Sequence, residues 1–387
     1  MNPALALDRD SIVAPLHCFA HVAMNCDWEI FIAGDDGEYA RQAAFAAWDE
    51  VDRIEEQISR FMPGSDVMRL NSAQPGEEIR IGPAALDCLL LADEISGQTQ
   101  GAFDVMVGRA MDRIRAGETS RPEFLPVEPL LQMDTTHGTV RVLGEGVAVD
   151  FGALGKGYAI DRVLDVLREW SIENALAHGG GSSCAAIGTP PNCAGWPVGL
   201  RDPRDATGET TLGVLHLRDA ALGGSGLQTQ GHHIVDPRSG LQAISKIGTW
   251  TLGQSAARAD AVSTALMVMA PDEIEAFFAQ NSEDSGLVLF GEPAQPQILS
   301  SGFLADVRLD FSAFTPPKPA PEALSESSLA DPIVRPFIGR RVAITGREGA
   351  KQSGVLVAAS ADWLHLQCDD GATILAPREA IAWLEIA

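Results

Sequence analysis

Three segments of this 387-residue chain combine residue types and spacings suited to chemistry at a phosphate. Val149-Asp150-Phe151-Gly152-Ala153-Leu154-Gly155-Lys156-Gly157-Tyr158 reads as a strand end, a glycine-rich turn and a helix start. Glycines allow close backbone approach, a helix N-terminus presents amides to an anion, and Lys156 adds a cation. The segment matches neither G-x-G-x-x-G nor G-x-x-x-x-G-K-[ST], and a tight turn with a solvated lysine explains it equally well. In Ala259-Asp260-Ala261-Val262-Ser263-Thr264-Ala265-Leu266, Asp260 and Thr264 stand at i and i+4 on one helical face. A carboxylate and a hydroxyl so placed can share a hard cation; an N-capping aspartate and a core-facing threonine fit the same residues. In His232-His233-Ile234-Val235-Asp236-Pro237-Arg238-Ser239-Gly240, His233 and Asp236 can orient a proton acceptor or form a satisfied loop.

Two shorter segments have the composition of ligand-contacting loops. Gly179-Gly180-Gly181-Ser182-Ser183 is too supple for regular structure, and Gly101-Ala102-Phe103-Asp104 places an aromatic and an acid after a turn glycine. The elements that must position these residues follow from periodicity. Helical spacing predicts helices over Ala40–Ser59, Ala84–Gln100, Tyr158–Trp170 and Ala259–Ala270, with a further one from Pro271 to Gln280. Strand-like runs fall at 27–33, 140–149, 175–177, 196–201, 213–217, 248–252 and 286–290. Strands and helices mix without strict alternation, which favours an α+β arrangement over a doubly wound sheet.

Thr315-Pro316-Pro317-Lys318-Pro319-Ala320-Pro321 and the Ser/Glu stretch after it read as a stiff linker over 315–331. It separates a large domain, 1–314, from a small one, 332–387, in which short alternating runs recur at 341–344, 353–357, 363–366, 373–375 and 381–384. That pattern predicts a small β-barrel of SH3-like or Sm-like kind. The charge is just as divided. The chain carries 28 basic and 53 acidic residues, net −25; the large domain holds 21 and 44 of them, net −23, and 332–387 is neutral. Such acidity excludes a nucleic-acid partner, which requires clustered Lys and Arg. It admits one small phosphorylated ligand with a cation between ligand and protein.

No apolar run approaches the roughly 20 residues that span a bilayer. Residues 1–10 lack a basic n-region and an apolar h-region, and the six cysteines form no C-x-x-C pair. A cytoplasmic protein with reduced thiols is the expectation; a trimmed leader would make it periplasmic or exported.

Taken in order, these segments resemble the ApbE family of FAD:protein FMN transferases. Ala23-Met24-Asn25-Cys26-Asp27-Trp28-Glu29-Ile30 resembles the family's opening A-M-G-T strand, and Ser59-Arg60-Phe61 with Ser65 to Asn71 resembles its S-x-[LI]-x-x-[LF]-N element. Gly101 to Asp104 is similar to G-A-F-D, Asp150 to Tyr158 to D-x-G-x-x-A/G-K-G-Y, His233 to Pro237 to H-I-I-D-P, and Ala259 to Ala265 to A-D-A-L-S-T-A. The resemblance implies a T-fold-like α+β domain that binds FAD and Mg²⁺. It implies transfer of the FMN half to a threonine of a protein acceptor carrying [DS]-G-A-[ST], with release of AMP. It places the metal at Asp260, Thr264 and the Ala153 carbonyl, and FAD at Met24, Phe61, Ala102, Phe103, Asp104, Asp150, Lys156 and Ile234. His233 or Asp236 would be the base.

The chain departs from the family pattern at four places. Asn25 replaces a glycine, Ser182 follows Gly180-Gly181 in place of an acid or amide, and Gly224-Ser225-Gly226 stands for T-S-G. Only Leu227 to His232 separates that element from His233, where an aromatic-containing hairpin is usual. These departures leave open an FAD pyrophosphatase giving FMN and AMP, or a non-catalytic FAD-binding protein whose barrel docks a partner. Asp370-Gly371-Ala372-Thr373 matches the acceptor motif; Thr373 is either a self-modification site or the first residue of a strand after a turn.

Overall fold

Eight strands lie side by side in the fold in the order in which they occur along the chain, with strands of other sheets between some of them. They are β1 (Leu16–Ala23), β2 (Cys26–Ala33), β3 (Ala175–Gly179), β4 (Ser183–Ile187), β5 (Ala221–Gly226), β6 (Lys246–Gly253), β7 (Ser285–Glu292) and β8 (Gln295–Ser301). Every neighbouring pair is antiparallel, and the spatial order is the chain order. The computed structural model describes residues 5–7, 15–34, 36–118, 129–205, 210–226, 234–292, 295–311 and five C-terminal strands. The chain divides into two compact units, Met1–Phe314 and Thr315–Ala387.

Both faces of this sheet are covered, so its central strands are apolar on both sides instead of alternating with polar residues. Trp28, Ile30 and Ile32 of β2 and Ala185 and Ile187 of β4 pack into one core with the helices. Phe31, Ala33, Cys184 and Ala186, at the intervening positions, pack into a second core with Trp196, Val198 and Leu200. Those three belong to Trp196–Arg201, the middle strand of a small sheet whose edges are Leu5–Leu7 and Thr211–Leu217.

Seven helices are described: α1 (Gly37–Ile58), α2 (Asp66–Ser72), α3 (Pro83–Gln98), α4 (Gly108–Arg115), α5 (Gly155–Glu169), α6 (Ala256–Val268) and α7 (Pro271–Gln280). Ala40, Ala43, Ala44, Ala47, Trp48, Val51, Ile54 and Ile58 form the buried stripe of α1, and Asp36 caps it by accepting the Tyr39 N–H. α6 is buried almost all round, as its alanine-rich sequence allows. None of the described helices is long and apolar enough to cross a membrane.

The α+β expectation holds, and all five expected helices are present. The strand expected over 140–149 is shorter, Thr139–Val142, and its remainder leads to Asp150 as irregular chain. β1, β4, β5 and β8 escape the sequence reading because histidine, glycine and polar residues interrupt their alternation.

Met24 and Asn25 join β1 to β2 as a two-residue turn, both at positive φ. Asparagine tolerates that conformation, so its substitution for glycine keeps the hairpin.

In the second unit, strands Arg341–Gly346, Lys351–Ala359, Trp363–Gln367, Thr373–Pro377 and Ile381–Ile386 lie where alternation places them. They form one antiparallel sheet in the order fourth, third, second, first, fifth. Among the described residues no pairing joins its two edge strands, so a closed barrel is not found. Alternation reports the faces of a strand and not whether the sheet's edges meet. The linker over 315–331 lies outside the described residues.

Candidate active site

Turns that leave the sheet and helix ends that meet beside it enclose a cleft of about 480 Å³. Ala102, Phe103, Asp104, Asp150, Ala153, Lys156, Ile234, Asp260 and Thr264 all line it. Segments separated by more than 150 residues of chain thus converge as the spacing argument requires.

Asp260 lies in the second turn of α6, whose own N-cap is Ser255, so the capping alternative does not apply to its own helix. Its carboxylate instead caps a neighbour: the Gly157 N–H in the first turn of α5 donates to Asp260 Oδ2 across 2.9 Å. Only a glycine at 157 permits this approach, because a Cβ there would lie 2.2 Å from the Ala256 carbonyl oxygen. Asp260 is 5% exposed. Burial pushes its pKa up to about 6, against the opposing pull of Lys156, the Ser183 hydroxyl and the Gly157 amide. Among the described residues no Lys, Arg or His lies within ion-pair distance of this carboxylate.

Thr264, one turn on, donates its hydroxyl to the Asp260 carbonyl at 3.1 Å. Its Oγ1 also lies 3.2 Å from Ser225 Oγ, which in turn is 2.9 Å from Ser263 Oγ. Ser225 enters because Gly224–Gly226 of β5 run past the end of β4, tied back by the Gly224 N–H to the Ser182 carbonyl at 2.7 Å. Asp260, Thr264, Ser225 and the backbone at Ala153 thus offer hard oxygen donors to one space.

The turn at 150–156 forms the opposite wall. Asp150 Oδ1 accepts the Gly152 N–H at 2.8 Å, and its Oδ2 pairs with Arg60 at 2.9 Å. Leu154 supplies no side-chain cap to α5, and the first turn is capped from outside the helix by Asp260 through the Gly157 N–H. The Lys156 stem passes Gly180, which with Gly181 has positive φ. Asp104 accepts the Met106 N–H at 2.8 Å, and burial raises its pKa.

Three expected residues lie elsewhere, and a fourth is not described. Met24 is in the β1–β2 turn, where its N–H donates to Glu55 Oε2 at 2.9 Å. Phe61 is 70% exposed outside the cleft wall, with the Arg60 and Arg115 guanidinium carbons 5.2 and 5.7 Å from its ring centroid. His233 falls outside the described residues. Asp236 is committed to a turn: it accepts the Arg238 N–H at 2.9 Å, pairs with the Arg238 guanidinium at 3.2 Å, and does not line the cleft. A His-to-Asp spacing of three gives either result, and here the Asp236–Gly240 turn uses the carboxylate. Sequence reading missed α4, which contributes Met111, Ile114 and Arg115 to the cleft. Its helical spacing of Met111, Ile114 and Arg115 is the signal, hidden by a short span rich in arginine.

Residues 24–288 match the ApbE family. A protein named FAD:protein FMN transferase from Vibrio cholerae is 26% identical over 243 residues, covering 57% of this chain and 72% of that protein. Another so named, from Klebsiella pneumoniae, is 23% identical over 297 residues, covering 69% of this chain and 81% of its own. The solved structure of the flavin transferase ApbE from Vibrio cholerae superposes with a TM-score of 0.66 at 21% identity, covering 76% of this chain and 99% of that one. An apbe protein from Thermotoga maritima gives 0.62 at 24%, covering 74% and 97%.

Proposed function

The chain belongs to the ApbE family, and from that premise we propose that it is an FAD:protein FMN transferase. In this reading it cleaves the FAD pyrophosphate, attaches the FMN half through a phosphoester to a threonine of a protein acceptor, and releases AMP. The observation that carries it is the convergence, in one cleft, of a buried aspartate without an ion-pair partner, two hydroxyls, a lysine and a glycine-rich helix N-terminus.

A buried carboxylate with no cation within ion-pair distance calls for one, and the donors offered beside Asp260 are oxygens, which fits Mg²⁺. Asp260, Thr264 and the Ala153 carbonyl would hold it. When bound, the ion supplies neutralisation of charge on the pyrophosphate oxygens. Everything else falls to the chain. Lys156 and the α5 N-terminus meet the phosphate anion, while Phe103 and Ile234 offer apolar surface to a flavin ring. The acceptor oxygen forms a bond to the FMN phosphorus as the bridging bond to AMP breaks, and the hydroxyl proton passes to a base. Asp236 is held by Arg238, so we assign the base to His233, the residue before cleft-lining Ile234.

Incubation with FAD, MgCl₂ and acceptor proteins containing a [DS]-G-A-[ST] segment tests the proposal. AMP together with covalent flavin on the acceptor is the expected result. AMP with free FMN would make the protein a pyrophosphatase, and FAD binding without AMP would make it a carrier.

A further inference from the structure

Arg60 ties together two walls of the cleft without lining it. Its Nη1 donates to Asp150 Oδ2 at 2.9 Å and to the Gly108 carbonyl at 3.3 Å, while Nη2 donates to Asp112 Oδ2 at 2.6 Å. Asp150 belongs to the turn that presents Gly152, Ala153 and Lys156, whereas Gly108 and Asp112 belong to α4, which presents Met111, Ile114 and Arg115. The Arg60 and Asp150 side chains are 13% and 11% exposed, so this end of the fork is shielded from water; Asp112, at 55%, is not.

Only Gly108 among the residues of α4 is buried, and its first turn is held by the Gly108 N–H to Ala148 carbonyl bond, 2.8 Å, together with the Arg60 contact to the Gly108 carbonyl. A planar fork spanning two carboxylates therefore sets where the second turn of α4 stands relative to the 150–156 turn. We propose that Arg60 is a positioning residue that fixes the width of the cleft by holding Asp150 and α4 on one guanidinium. This rests on the reading of the cleft as an FAD site.

The experiment is FAD binding, in MgCl₂, to wild type, Asp112→Asn, Arg60→Lys, Arg60→Ala and the double variant Arg60→Ala/Asp112→Asn, with the thermal midpoint of each. Asp112→Asn removes an exposed carboxylate and leaves the shielded pair intact, so it keeps a readout even where Arg60→Ala unfolds. Asp112→Asn is expected to weaken FAD binding about threefold with a midpoint close to wild type. Arg60→Lys, a point charge that reaches one carboxylate, is expected to match it. Arg60→Ala should weaken binding about tenfold, and the double variant should be no weaker than Arg60→Ala, because Asp112 acts through Arg60. Asp112 also lies 3.5 Å from Arg115. Additive losses in the double variant would route the effect through Arg115 and overturn the proposal. Unchanged FAD affinity in Asp112→Asn and Arg60→Lys would overturn it as well. A wild-type protein that binds no FAD overturns the parent reading and this inference with it.

Discussion

Asp260 of α6 accepts the Gly157 N–H of α5, and Asp161 of α5 returns the contact by capping α6. Asp161 accepts the Ala256 and Ala257 N–H groups at 2.8 and 3.0 Å and the Ser255 hydroxyl at 2.7 Å. Each helix thus satisfies amides in the first turn of the other, and the two N-termini are clasped at one place. The clasp fixes Asp260 and Thr264 relative to Ala153 and Lys156, so the site is built into the packing of two helices and not into a loop.

The closeness of that packing predicts the effect of one methyl group. In Gly157→Ala the added Cβ meets the Ala256 carbonyl carbon at 2.4 Å and the Ala257 nitrogen at 2.6 Å, backbone atoms that cannot swing aside. The expected outcome is a loss of about 1–3 kcal/mol in stability, the usual cost of overpacking, with weaker Mg²⁺ binding. Urea denaturation and calorimetric titration with MgCl₂ measure both. A variant as stable as wild type would contradict the clasp.

Asp260 should make stability depend on pH in an unusual direction. Its pKa of about 6 in the folded protein lies above the ordinary 3.8, so the native state holds this proton more tightly than the unfolded chain. The stability that the site contributes is complete below about pH 4 and is lost as pH rises through 6. Asp260→Asn, neutral throughout and still an acceptor for Gly157, should therefore exceed wild type at pH 8 by about 2–3 kcal/mol without metal, and equal it near pH 4. Saturating MgCl₂ should close the gap by stabilising wild type alone. An Asn variant less stable than wild type at pH 8 would remove the argument for an uncompensated carboxylate.

How far the sequence discloses all this depends on what holds each residue. Asp260, Thr264, Lys156 and the G-A-F-D turn are legible because a helix start or a glycine turn fixes their direction locally. Arg60 and Asp112 lie 52 positions apart in chain and meet through packing alone, and no local spacing announces such a pair. Asp161 is hidden for the same reason: it reads as one more acid on the exposed side of a helix until α6 arrives. The two-faced burial of the sheet also erases the alternation by which a one-sided strand is recognised, and the edge strand β1, with two histidines and a cysteine, supplies no substitute. Asp236 is the converse case, a motif residue whose local turn outcompetes the role its spacing offers.

The hydroxyls at the site separate a ligand from a packing group. Thr264→Val keeps the shape and removes the oxygen that contacts Ser225 and the Asp260 carbonyl. Thr264→Ser keeps the oxygen. If the hydroxyl is a metal donor, Mg²⁺ binding should weaken about tenfold in the valine variant and change little in the serine variant. Equal losses in the two would assign Thr264 to packing.

Lys246 supplies the last prediction, at the far end of α6. The Lys246 ammonium is buried at 6% exposure and donates to the Met267 and Met269 carbonyls, orphan acceptors of the α6 C-terminus. Burial lowers its pKa to about 8, with Glu273 opposing and Arg238 assisting the shift. The unfolded chain thus holds this proton more tightly than the native state, and the charge costs stability at neutral pH. That cost is relieved as pH rises from about 8 towards 10.5. Lys246→Met removes the titration while filling the same space. The stability of wild type relative to Lys246→Met should accordingly rise between pH 7 and 10, by about 2 kcal/mol, in urea denaturation at each pH. A flat difference would mean that the two carbonyls hold the ammonium as firmly as water does.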